Sequence, residues 1–493
     1  MIPKLICLGL ATLLSFLSVF GETQPRVDEK LAALRLLKID HGTITTVERD
    51  TSGTTTIVKL VLKPAKGSNI NIEVWLPDAK KWNARFLGLG NGGAAGKINP
   101  AGLASMSAAG YAVATTDMGT APNDNSGVDN PEVWKDFGYR ATHLMTVTAK
   151  QFVRAHYGRE PEYSYFSGGS TGGQQALQEA QRYPEDYDGI TAAVPAHCRT
   201  PLHAYFLWNE QILKKCPFTK EQEANVIAAA NEFMAPREIP LASGKFVSDP
   251  RCTVQDIEAV IALARKKDAS LTDEHATALK KLFDGPRHAA TGEWLFNGIP
   301  LGSSLEASHG HLYLFRWVFG KNKPMEDINF STDIDTYTAA LAPFLNAENA
   351  DLSEFKKRGG KLIATTGAVD SVVPPQATID YYERVVEHFG SLENAQTFFR
   401  LYLVPGMAHG GGPGVNQAPN LLDAIRAWRE KGVAPGALSG RHVVNGKTKW
   451  EMPFHPYPQK TGWNASTSSF EVVNGPRGGV ERVAERFRPA ARE

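Results

Sequence analysis

The chain has 493 residues, of which 42% are hydrophobic and 21% are charged. This composition allows a large buried core and excludes a mainly disordered protein. Basic and acidic residues nearly balance, with a formal net charge of +1 at pH 7. A charge so close to zero provides no basic surface that would attract nucleic acid, so we expect no nucleic-acid partner.

The first 21 residues predict a signal peptide. Lys4 supplies a positive charge, an apolar run continues to Phe20, and Gly21 is a small residue suited to cleavage. No later run approaches the roughly 20 apolar residues that are needed to span a bilayer. We therefore expect a secreted or periplasmic protein that is soluble once residues 1–21 are removed and that has no membrane partner.

Beyond this leader, short apolar runs alternate with helix-like stretches. The early segments TTTIVKLVLKP and NIEVWLP are rich in β-branched residues and predict strands. From about Ala84 onward, apolar runs end in glycine-bearing loops and are separated by helix-like stretches such as ATHLMTVTAKQFVRAHYG. The alternation predicts an α/β fold in which helices cover a parallel sheet. The runs are RFLGLGNGG, YAVATTDMG, YSYFSGG, KLIATTGAVD and FRLYLVPGMAH.

Residues 200–330 interrupt this alternation. The segment contains charged helix-like runs, KEQEANVIAAANEF and DEHATALKKLF, and no clear buried strand. We interpret it as an inserted lid domain. The predicted catalytic domain then has two parts, residues 22–199 and residues 331–493, with the lid between them.

Gly168, Ser170 and Gly172 match the G-x-S-x-G pattern, in which a nucleophilic serine occupies a sharp turn between a strand and a helix. The strand-like EYSYFSG before the serine and the helix-like GGQQALQEAQRYP after it fit such a turn. A serine before a helix is also a favourable N-cap, so capping is the alternative role. We expect Ser170 to fill both roles.

A serine hydroxyl is a weak nucleophile at neutral pH and needs a base, which in turn needs an acidic group to orient it. In α/β-hydrolases the acid and then the histidine follow the serine, each in a loop after a strand. Asp370 ends the run KLIATTGAVD, and His409 follows FRLYLVPGMA. We therefore predict a catalytic triad of Ser170, Asp370 and His409. The alternative is that Asp370 caps a turn and His409 is a solvated loop residue.

Acyl transfer also requires hydrogen-bond donors for the developing oxyanion. The backbone amide of Thr171 is one candidate. The loop GLGNGGAAG, residues 88–96, offers a second donor at Gly92 or Gly93, where a backbone without Cβ can approach a substrate. The loop matches neither a dinucleotide-binding fingerprint nor a Walker motif, so we expect no nucleotide cofactor.

Several long motifs together resemble the tannase and feruloyl esterase family of α/β-hydrolases, which also includes a bacterial hydrolase of mono(hydroxyethyl) terephthalate. The resemblance implies an α/β-hydrolase fold with an inserted lid domain, and it places the nucleophile at Ser170, the acid at Asp370 and the base at His409. It also implies hydrolysis of aromatic esters such as hydroxycinnamates or gallates. The motifs are FLGLGNGGAAG, DFGYRATHLMTVTAK, YSYFSGGSTGGQQALQEAQRYPEDYDGI, NADLSEFKKRGGKLIATTGAVDSVVPP, LYLVPGMAHGGGPG, WREKGVAPGAL and PFHPYP.

The sequence departs from this family in its cysteines. Family members typically carry one cysteine just before the nucleophile and another just after the histidine, joined by a disulfide, whereas this chain has Gly169 and Gly410 there. Beyond the leader only Cys198, Cys216 and Cys252 remain, and three cysteines allow at most one intrachain bridge. The sequence does not identify the pair, although Cys216 with Cys252 would close a loop within one region.

A second departure concerns metals. Many family members carry a calcium loop in the lid, with an Asp-rich segment upstream of a DP-x-x-C segment. Here the similar segment SDPRC, residues 248–252, is present with one residue between the proline and the cysteine, but the upstream stretch NEFMAPREIPLASGKF contains no aspartate. Because calcium requires several oxygen ligands, we predict no calcium at this place and no other cofactor. His309 and His311 suggest a transition metal only weakly, since two histidines without a third ligand are more often surface or pocket residues.

These observations predict a serine carboxylic ester hydrolase that acts on a small-molecule ester, expected to be aromatic, through an acyl-enzyme. Two alternatives remain: an acyltransferase or natural-product-modifying enzyme on the same scaffold, and a catalytically silent binding protein. The oligomeric state and the physiological ester are not determined by the sequence. Aromatic residues of the lid either line an aryl pocket or, more commonly at such spacing, form the lid core: Phe206, Trp208, Phe315, Trp317 and Phe319.

Overall fold

The computed structural model describes residues 27–234, 246–305, 311–464 and 466–478. The predicted signal peptide lies outside these ranges. Nine strands form one central sheet in the spatial order β1-β2-β3-β5-β4-β6-β7-β8-β9. They are β1 (Gly42–Arg49), β2 (Thr55–Leu62), β3 (Ile70–Pro77), β4 (Arg85–Leu89), β5 (Ala112–Thr116), β6 (Tyr163–Gly169), β7 (Gly189–Ala193), β8 (Lys361–Gly367) and β9 (Phe399–Val404).

The sheet is antiparallel at one side and parallel at the other. The pairs β1–β2, β2–β3 and β3–β5 are antiparallel, whereas β5, β4, β6, β7, β8 and β9 pair with their neighbours in parallel. Parallel strands are connected through helices, so their carboxyl ends meet at one edge of the sheet. The loops at that edge carry the candidate site.

The residue pattern explains these strands. β5 is buried along its whole length and β8 at all but its first residue, as expected for apolar runs in a sheet covered on both faces. In β4, the neighbouring residues Phe86 and Leu87 enter two separate hydrophobic clusters, because successive side chains point to opposite faces. The predicted α/β fold with a largely parallel sheet is confirmed, although the sequence pattern misses β1 and β7.

Helices cover the sheet and fill the insertion. A π-helical turn, Asp136–Arg140, joins α3 to α4, and a short 3₁₀ turn spans Met325–Asp327. The α-helices are α1 (Val27–Arg35), α2 (Pro100–Ala108), α3 (Pro131–Lys135), α4 (Ala141–Tyr157), α5 (Thr171–Arg182), α6 (Arg199–Lys215), α7 (Lys220–Met234), α8 (Val254–Lys267), α9 (Asp273–Asp284), α10 (Tyr313–Phe319), α11 (Thr332–Leu345), α12 (Ser353–Lys357), α13 (Pro375–His388), α14 (Leu392–Gln396) and α15 (Leu421–Lys431).

The insertion lies between two strands that are neighbours in the sheet. β7 pairs with β8, with Gly189 opposite Lys361, although residues 194–360 separate the two strands along the chain. The described part of this insertion adds no strand to the sheet, and α6 packs against both α9 and α11. Its helical character agrees with the interpretation of residues 200–330, while the lid boundaries stay a prediction.

Two antiparallel hairpins follow the last helix. They comprise β10 (Leu438–Val444) with β11 (Lys447–Phe454), and β12 (Gln459–Asn464) with β13 (Ser469–Asn474). The amide of Tyr457 donates to the carbonyl of Leu401 in β9 at 2.7 Å. The chain between the hairpins thereby contacts the outermost strand of the sheet, whose exposed edge would otherwise invite pairing with other chains.

Two further expectations concern membranes and disulfides. In the part of the chain that the structure describes, no helix combines the length and the apolar character needed to cross a bilayer. Cys198, Cys216 and Cys252 are joined by no disulfide. The bridge between Cys216 and Cys252 that the sequence allows is therefore not formed.

Candidate active site

The turn between β6 and α5 places Ser170 in an unusual backbone conformation. Its φ is 60° and its ψ is −118°, a region that residues with a side chain seldom adopt. Gly168 and Gly172 permit the tight turn, because a Cβ on Gly168 would collide with the backbone of Gly172. The Ser170 side chain makes no capping hydrogen bond, so the predicted capping role is wrong. The Ser170 hydroxyl instead lies within hydrogen-bond distance of His409, at 3.1 Å.

The structure brings the three predicted triad residues together. Nε2 of His409 lies 3.1 Å from Oγ of Ser170, and Nδ1 of His409 lies 2.9 Å from Oδ2 of Asp370. The amides of Val372 and Val373 each donate to Oδ1 of Asp370 at 2.9 Å, which fixes the orientation of the carboxylate. Because an ionised carboxylate only accepts hydrogen bonds, Nδ1 of His409 carries the proton and Nε2 presents a lone pair to the serine hydroxyl.

The fold explains this meeting. Ser170 follows β6, Asp370 follows β8 and His409 follows β9, so all three lie at the carboxyl ends of parallel strands. The loops that carry Asp370 and His409 contact each other, since the amide of Val369 donates to the carbonyl of Met407 at 3.0 Å. Asp370 is fully buried, whereas the His409 side chain is 26% exposed. The acid is thus shielded from water while the histidine remains accessible.

The glycine loop after β4 packs against the start of α5. The amide of Gly172 donates to the carbonyl of Asn91 at 2.7 Å, and the amide of Asn91 donates to Oε1 of Gln175 at 2.8 Å. A Cβ on Gly90 would lie 2.6 Å from Cα of Gly172, so only glycine fits at this approach. The loop is therefore fixed to the helix that follows Ser170.

The candidate oxyanion donors lie in this contact. Thr171 is the first residue of α5, where helix geometry leaves the amide without an intrahelical acceptor. Oγ1 of Thr171 donates to the carbonyl of Gly93 at 2.6 Å. No atom lies within 4 Å of a Cβ built on Gly92 or Gly93, so both glycines border open space. The choice between these two glycines as the second donor stays a prediction.

A buried arginine that sequence reasoning missed lies behind this loop. Arg199 is 2% exposed, and its Nη1 donates to Oγ1 of Thr171 at 3.0 Å. Its Nη2 donates to the carbonyl of Gly93 at 3.1 Å and to the hydroxyl of Tyr313 at 2.5 Å. The only signal in the sequence is a charged residue within the largely apolar stretch that follows β7, VPAHCRTPLHAYF.

The aromatic residues of the predicted lid pack mostly in the protein interior. Phe206, Phe315 and Trp317 are almost fully buried. Phe315 stacks on a tyrosine of α11, with 4.2 Å between ring centroids. Trp317 contacts the phenylalanine ring of the π-helical turn edge-on, with 5.4 Å between ring centroids. Trp208 packs edge-on against another phenylalanine at 5.0 Å, and a lysine lies over Phe319. These contacts favour a packing role over an aryl pocket, although some of the partners lie outside residues 200–330 and so outside the predicted lid.

Of the two histidines of HGH, the structure describes only His311. His309 lies outside the described residues, whereas His311 lies beside Phe206 at 5.3 Å between ring centroids. His203 also packs on Phe206, and burial lowers its pKa well below the ordinary value, so this ring is neutral. Within the described ranges, the metal-ligating side chains that converge in a group of three lie elsewhere.

That group comprises His143, Glu179 and Asp186, whose ligand atoms lie within 4.8 Å of one another. Nδ1 of His143 is 2.7 Å from Oδ2 of Asp186, which is a hydrogen-bond distance. Burial, with the negative charge of Asp186 beside it, raises the pKa of Glu179 well above its ordinary value. A protonated Glu179 beside Asp186 accounts for the cluster. Glu179 lies roughly 13 Å along α5 from Ser170, so the cluster is separate from the candidate active site.

The lid segment SDPRC also uses its carboxylate within the chain. Nε and Nη2 of Arg251 donate to the two oxygens of Asp249 at 2.8 and 2.7 Å. Lys460 forms a further ion pair with the same carboxylate. Asp249 thus already pairs with two cationic side chains. Most of the upstream stretch that lacks aspartate, residues 235–245, lies outside the described residues, so the prediction of no calcium there stays a prediction.

The amino-acid sequence matches one family model and is similar to esterases of that family. The family model for tannase and feruloyl esterase matches residues 56–330 and 314–475. An uncharacterized esterase of Xanthomonas campestris pv. campestris is 30% identical over 486 residues, covering 85% of this chain and 84% of that protein. A probable feruloyl esterase of Arthroderma benhamiae is 31% identical over 454 residues, covering 82% of both chains.

Solved structures share the fold. Feruloyl esterase B from Aspergillus oryzae superposes with a TM-score of 0.76 at 22% identity, covering 90% of this chain and 99% of that chain. Tannin acyl hydrolase from Aspergillus niger gives a TM-score of 0.72 at 18% identity, covering 94% and 96%. At such identities the likeness shows the fold alone, which is of the α/β-hydrolase type. With the sequence matches, it follows that the chain belongs to the tannase and feruloyl esterase family and is a carboxylic ester hydrolase.

Proposed function

We propose that this carboxylic ester hydrolase works through a triad of Ser170, His409 and Asp370 and through a covalent acyl-enzyme. The observation that carries the proposal is the continuous series of contacts from Asp370 to His409 and from His409 to Ser170, at 2.9 and 3.1 Å. A nucleophile, its base and the group that orients the base must lie within such distances.

His409 takes the proton of the Ser170 hydroxyl as Oγ attacks the ester carbonyl, and Asp370 orients and stabilises the resulting imidazolium. The imidazolium then gives this proton to the leaving alcohol, and the acyl group remains on Oγ. Water attacks the acyl-enzyme with His409 again as the base, which releases the acid and restores Ser170. The nucleophile, the base and the orienting carboxylate of these reaction steps are all side chains of the protein, so the proposed mechanism requires no cofactor.

The oxyanion of each tetrahedral intermediate is stabilised by the amide of Thr171 and by the amide of Gly92 or Gly93. The support is the contact that fixes the glycine loop to the first turn of α5. Donors that are already in place need no reorganisation when the charge develops, and each such donor contributes about a hundred- to a thousandfold in rate.

The proposed substrates are small esters of aromatic acids, of the hydroxycinnamate or gallate type. The support is family membership and the activities named for relatives, which include feruloyl esterases and a tannin acyl hydrolase. The aromatic residues of the predicted lid give no independent support, because Phe206, Phe315 and Trp317 are almost fully buried. The pattern of residues 1–21 supports export to the periplasm or outside the cell.

The test is hydrolysis of methyl ferulate, methyl gallate, chlorogenic acid and p-nitrophenyl acetate by the wild type and by Ser170→Ala. A matched control is Ser469→Ala, which removes an exposed serine of the C-terminal hairpin. We expect the wild type and the control to hydrolyse an aryl ester at the same rate and Ser170→Ala to be inactive. Turnover of p-nitrophenyl acetate alone would contradict the aromatic substrate class, and equal turnover by Ser170→Ala would contradict the triad.

Two outcomes would replace the proposal. An alcohol acceptor that outcompetes water for the acyl group would identify an acyltransferase or a natural-product-modifying enzyme. Absence of both ester turnover and fluorophosphonate labelling would identify a catalytically silent binding protein, because labelling requires an activated serine.

A further inference from the structure

Arg199 is a buried cation without an acidic partner. It begins α6 directly after the β7 loop, and only 2% of the residue is exposed. Its Nη1 and Nη2 make three hydrogen bonds, all to neutral oxygens, and its Nε is buried without a hydrogen-bond partner. No carboxylate of the described residues forms an ion pair with it. Buried charges are normally paired, so a guanidinium left uncompensated indicates a role beyond packing.

The guanidinium connects the two elements that carry the proposed oxyanion donors. Nη1 donates to Oγ1 of Thr171, the first residue of α5, and Nη2 donates to the carbonyl of Gly93. Oγ1 of Thr171 itself donates to that carbonyl, and the hydroxyl of Tyr313 reaches it at 3.4 Å. The fork geometry of arginine allows one side chain to hold both acceptors at once. The Gly92–Gly93 backbone and the Thr171 amide are thereby fixed relative to each other.

The guanidinium of Arg199 packs among aromatic rings. The guanidinium lies 5.2 Å from the ring centroid of Phe137, a favourable cation–π position in the π-helical turn before α4. Tyr313 and His203 pack on each other beside it at 5.3 Å between ring centroids. His203 is neutral, so it does not add a second charge. In such an apolar setting an uncompensated charge acts over a longer range than it would in water.

We infer that Arg199 is a positioning residue of the oxyanion site, which holds the Gly93 carbonyl and the Thr171 hydroxyl and whose uncompensated charge favours the anionic tetrahedral intermediate. The inference rests on the proposed function. The anion that pairs with this cation forms only during the reaction, so Arg199 stabilises the transition state more than it stabilises bound substrate. Its removal should therefore lower kcat more than it raises KM.

The test compares Arg199→Met and Arg199→Lys with the wild type on whichever ester the wild type hydrolyses. We expect Arg199→Met to lose about a hundredfold in kcat, as for loss of one oxyanion donor, with KM within about threefold. Arg199→Lys keeps the charge but not the fork, so it should lose roughly tenfold and thus restore part of the rate. Phenylboronic acid forms an anionic tetrahedral adduct with an activated serine, and its inhibition constant should rise by about the factor by which kcat falls.

A purely structural role would give a different result. It would lower the melting temperature, and the two variants would lose activity without the ordering of lysine above methionine and without a matching loss of boronate affinity. Tyr313→Phe provides a second variant should Arg199→Met fail to fold, because it removes one partner of Nη2 and leaves the charge in place. We expect it to lose less than tenfold in kcat, with boronate affinity falling in parallel.

Two results separate this inference from the proposed function. Unchanged kcat and unchanged boronate affinity in a folded Arg199→Met variant, beside an active wild type that depends on Ser170, would overturn the role of Arg199 alone. A wild type that hydrolyses no ester and binds no boronate would overturn both the triad and the role of Arg199.

Discussion

Two histidine–carboxylate pairs in this molecule have similar local chemistry and different surroundings. His409 contacts Asp370 at 2.9 Å and His143 contacts Asp186 at 2.7 Å, each through Nδ1, and the two histidines are exposed to nearly the same extent, 26% and 24%. Such a pair is therefore insufficient to define a site. What differs is the group that each pair faces.

The pair of His409 and Asp370, at the carboxyl ends of the parallel strands, faces a hydroxyl on a strained turn. Nε2 of His409 lies 3.1 Å from Oγ of Ser170, whose φ of 60° presents the hydroxyl to the loops after β8 and β9. The other pair lies between α4, α5 and the loop before β7. There His143 stacks on Tyr183 at 3.8 Å, and Asp186 adjoins the buried Glu179. The proposed proton transfer therefore belongs to the first pair, and for the second pair we expect only stabilisation of helix packing.

The largest expected effect separates the two histidines. His409→Ala should lower kcat by about a millionfold, because in a triad loss of the base alone removes most of the catalysis. His143→Ala, the matched control of similar exposure, should keep kcat within about threefold and lower the melting temperature by several degrees. Steady-state hydrolysis and thermal unfolding of both variants measure this. A large loss of kcat in folded His143→Ala would contradict the separate roles of the two histidines.

The two carboxylates should differ in the same sense. Asp370→Asn keeps the shape of the side chain but favours the wrong histidine tautomer, so kcat should fall about ten-thousandfold. Asp186→Asn should leave kcat nearly unchanged, since its partner His143 stacks on Tyr183 and has no role in the proposed reaction. Hydrolysis rates of the two variants, with circular dichroism to establish folding, test the prediction. Equal losses in both variants would contradict the separate roles.

Two glycines sharpen the contrast between packed and open backbone at the site. A Cβ on Gly90 would lie 2.6 Å from Gly172, so Gly90→Ala should displace the oxyanion loop and lower kcat by about a hundredfold or more. Nothing lies within 4 Å of a Cβ on Gly410, the residue after the histidine, so Gly410→Ala should keep kcat within about threefold. Comparable kcat values for the two variants would refute the proposed packing of the loop.

The smallest effect concerns the pH dependence of stability. The pKa of Glu179 is raised in the folded chain, chiefly by burial. The folded chain therefore keeps a proton that the unfolded chain loses above about pH 4.5, so this group should decrease the free energy of unfolding as pH rises, by up to ~1.4 kcal/mol per pH unit until the folded pKa is reached. Glu179→Gln should remove that decrease. Urea unfolding at pH 5 and pH 8 tests this, and equal pH slopes in both proteins would contradict it.

The sequence was sufficient to predict the candidate site where local pattern and topology coincide. Ser170, Asp370 and His409 each follow an apolar run that forms a parallel strand, and parallel strands place their carboxyl ends together. The capping role of Ser170 was wrong, because Ser170 adopts a φ of 60° in place of the extended backbone usual at an N-cap and its side chain makes no capping hydrogen bond. Residue type and spacing do not show that backbone angle.

Other features depend on contacts between distant segments. Arg199 acquires its partners only when the loops after β4 and β7 meet the insertion helix α10, so its surroundings leave almost no local signal. β7 has the sequence GITAA, too short and too rich in small residues to stand out from a loop, yet it lies at the centre of the parallel strands. The strands of the C-terminal hairpins also give little signal, for a different reason. They are largely exposed and lack the apolar runs that predict buried strands.

If Ser170 is the activated nucleophile, a fluorophosphonate probe should react with its hydroxyl, and mapping of the modified peptide locates the adduct. We expect one adduct, at Ser170, in the wild type and in His143→Ala, and none at this position in Ser170→Ala or His409→Ala. Labelling of another serine in place of Ser170, or full labelling of Ser170 without His409, would contradict this role of Ser170.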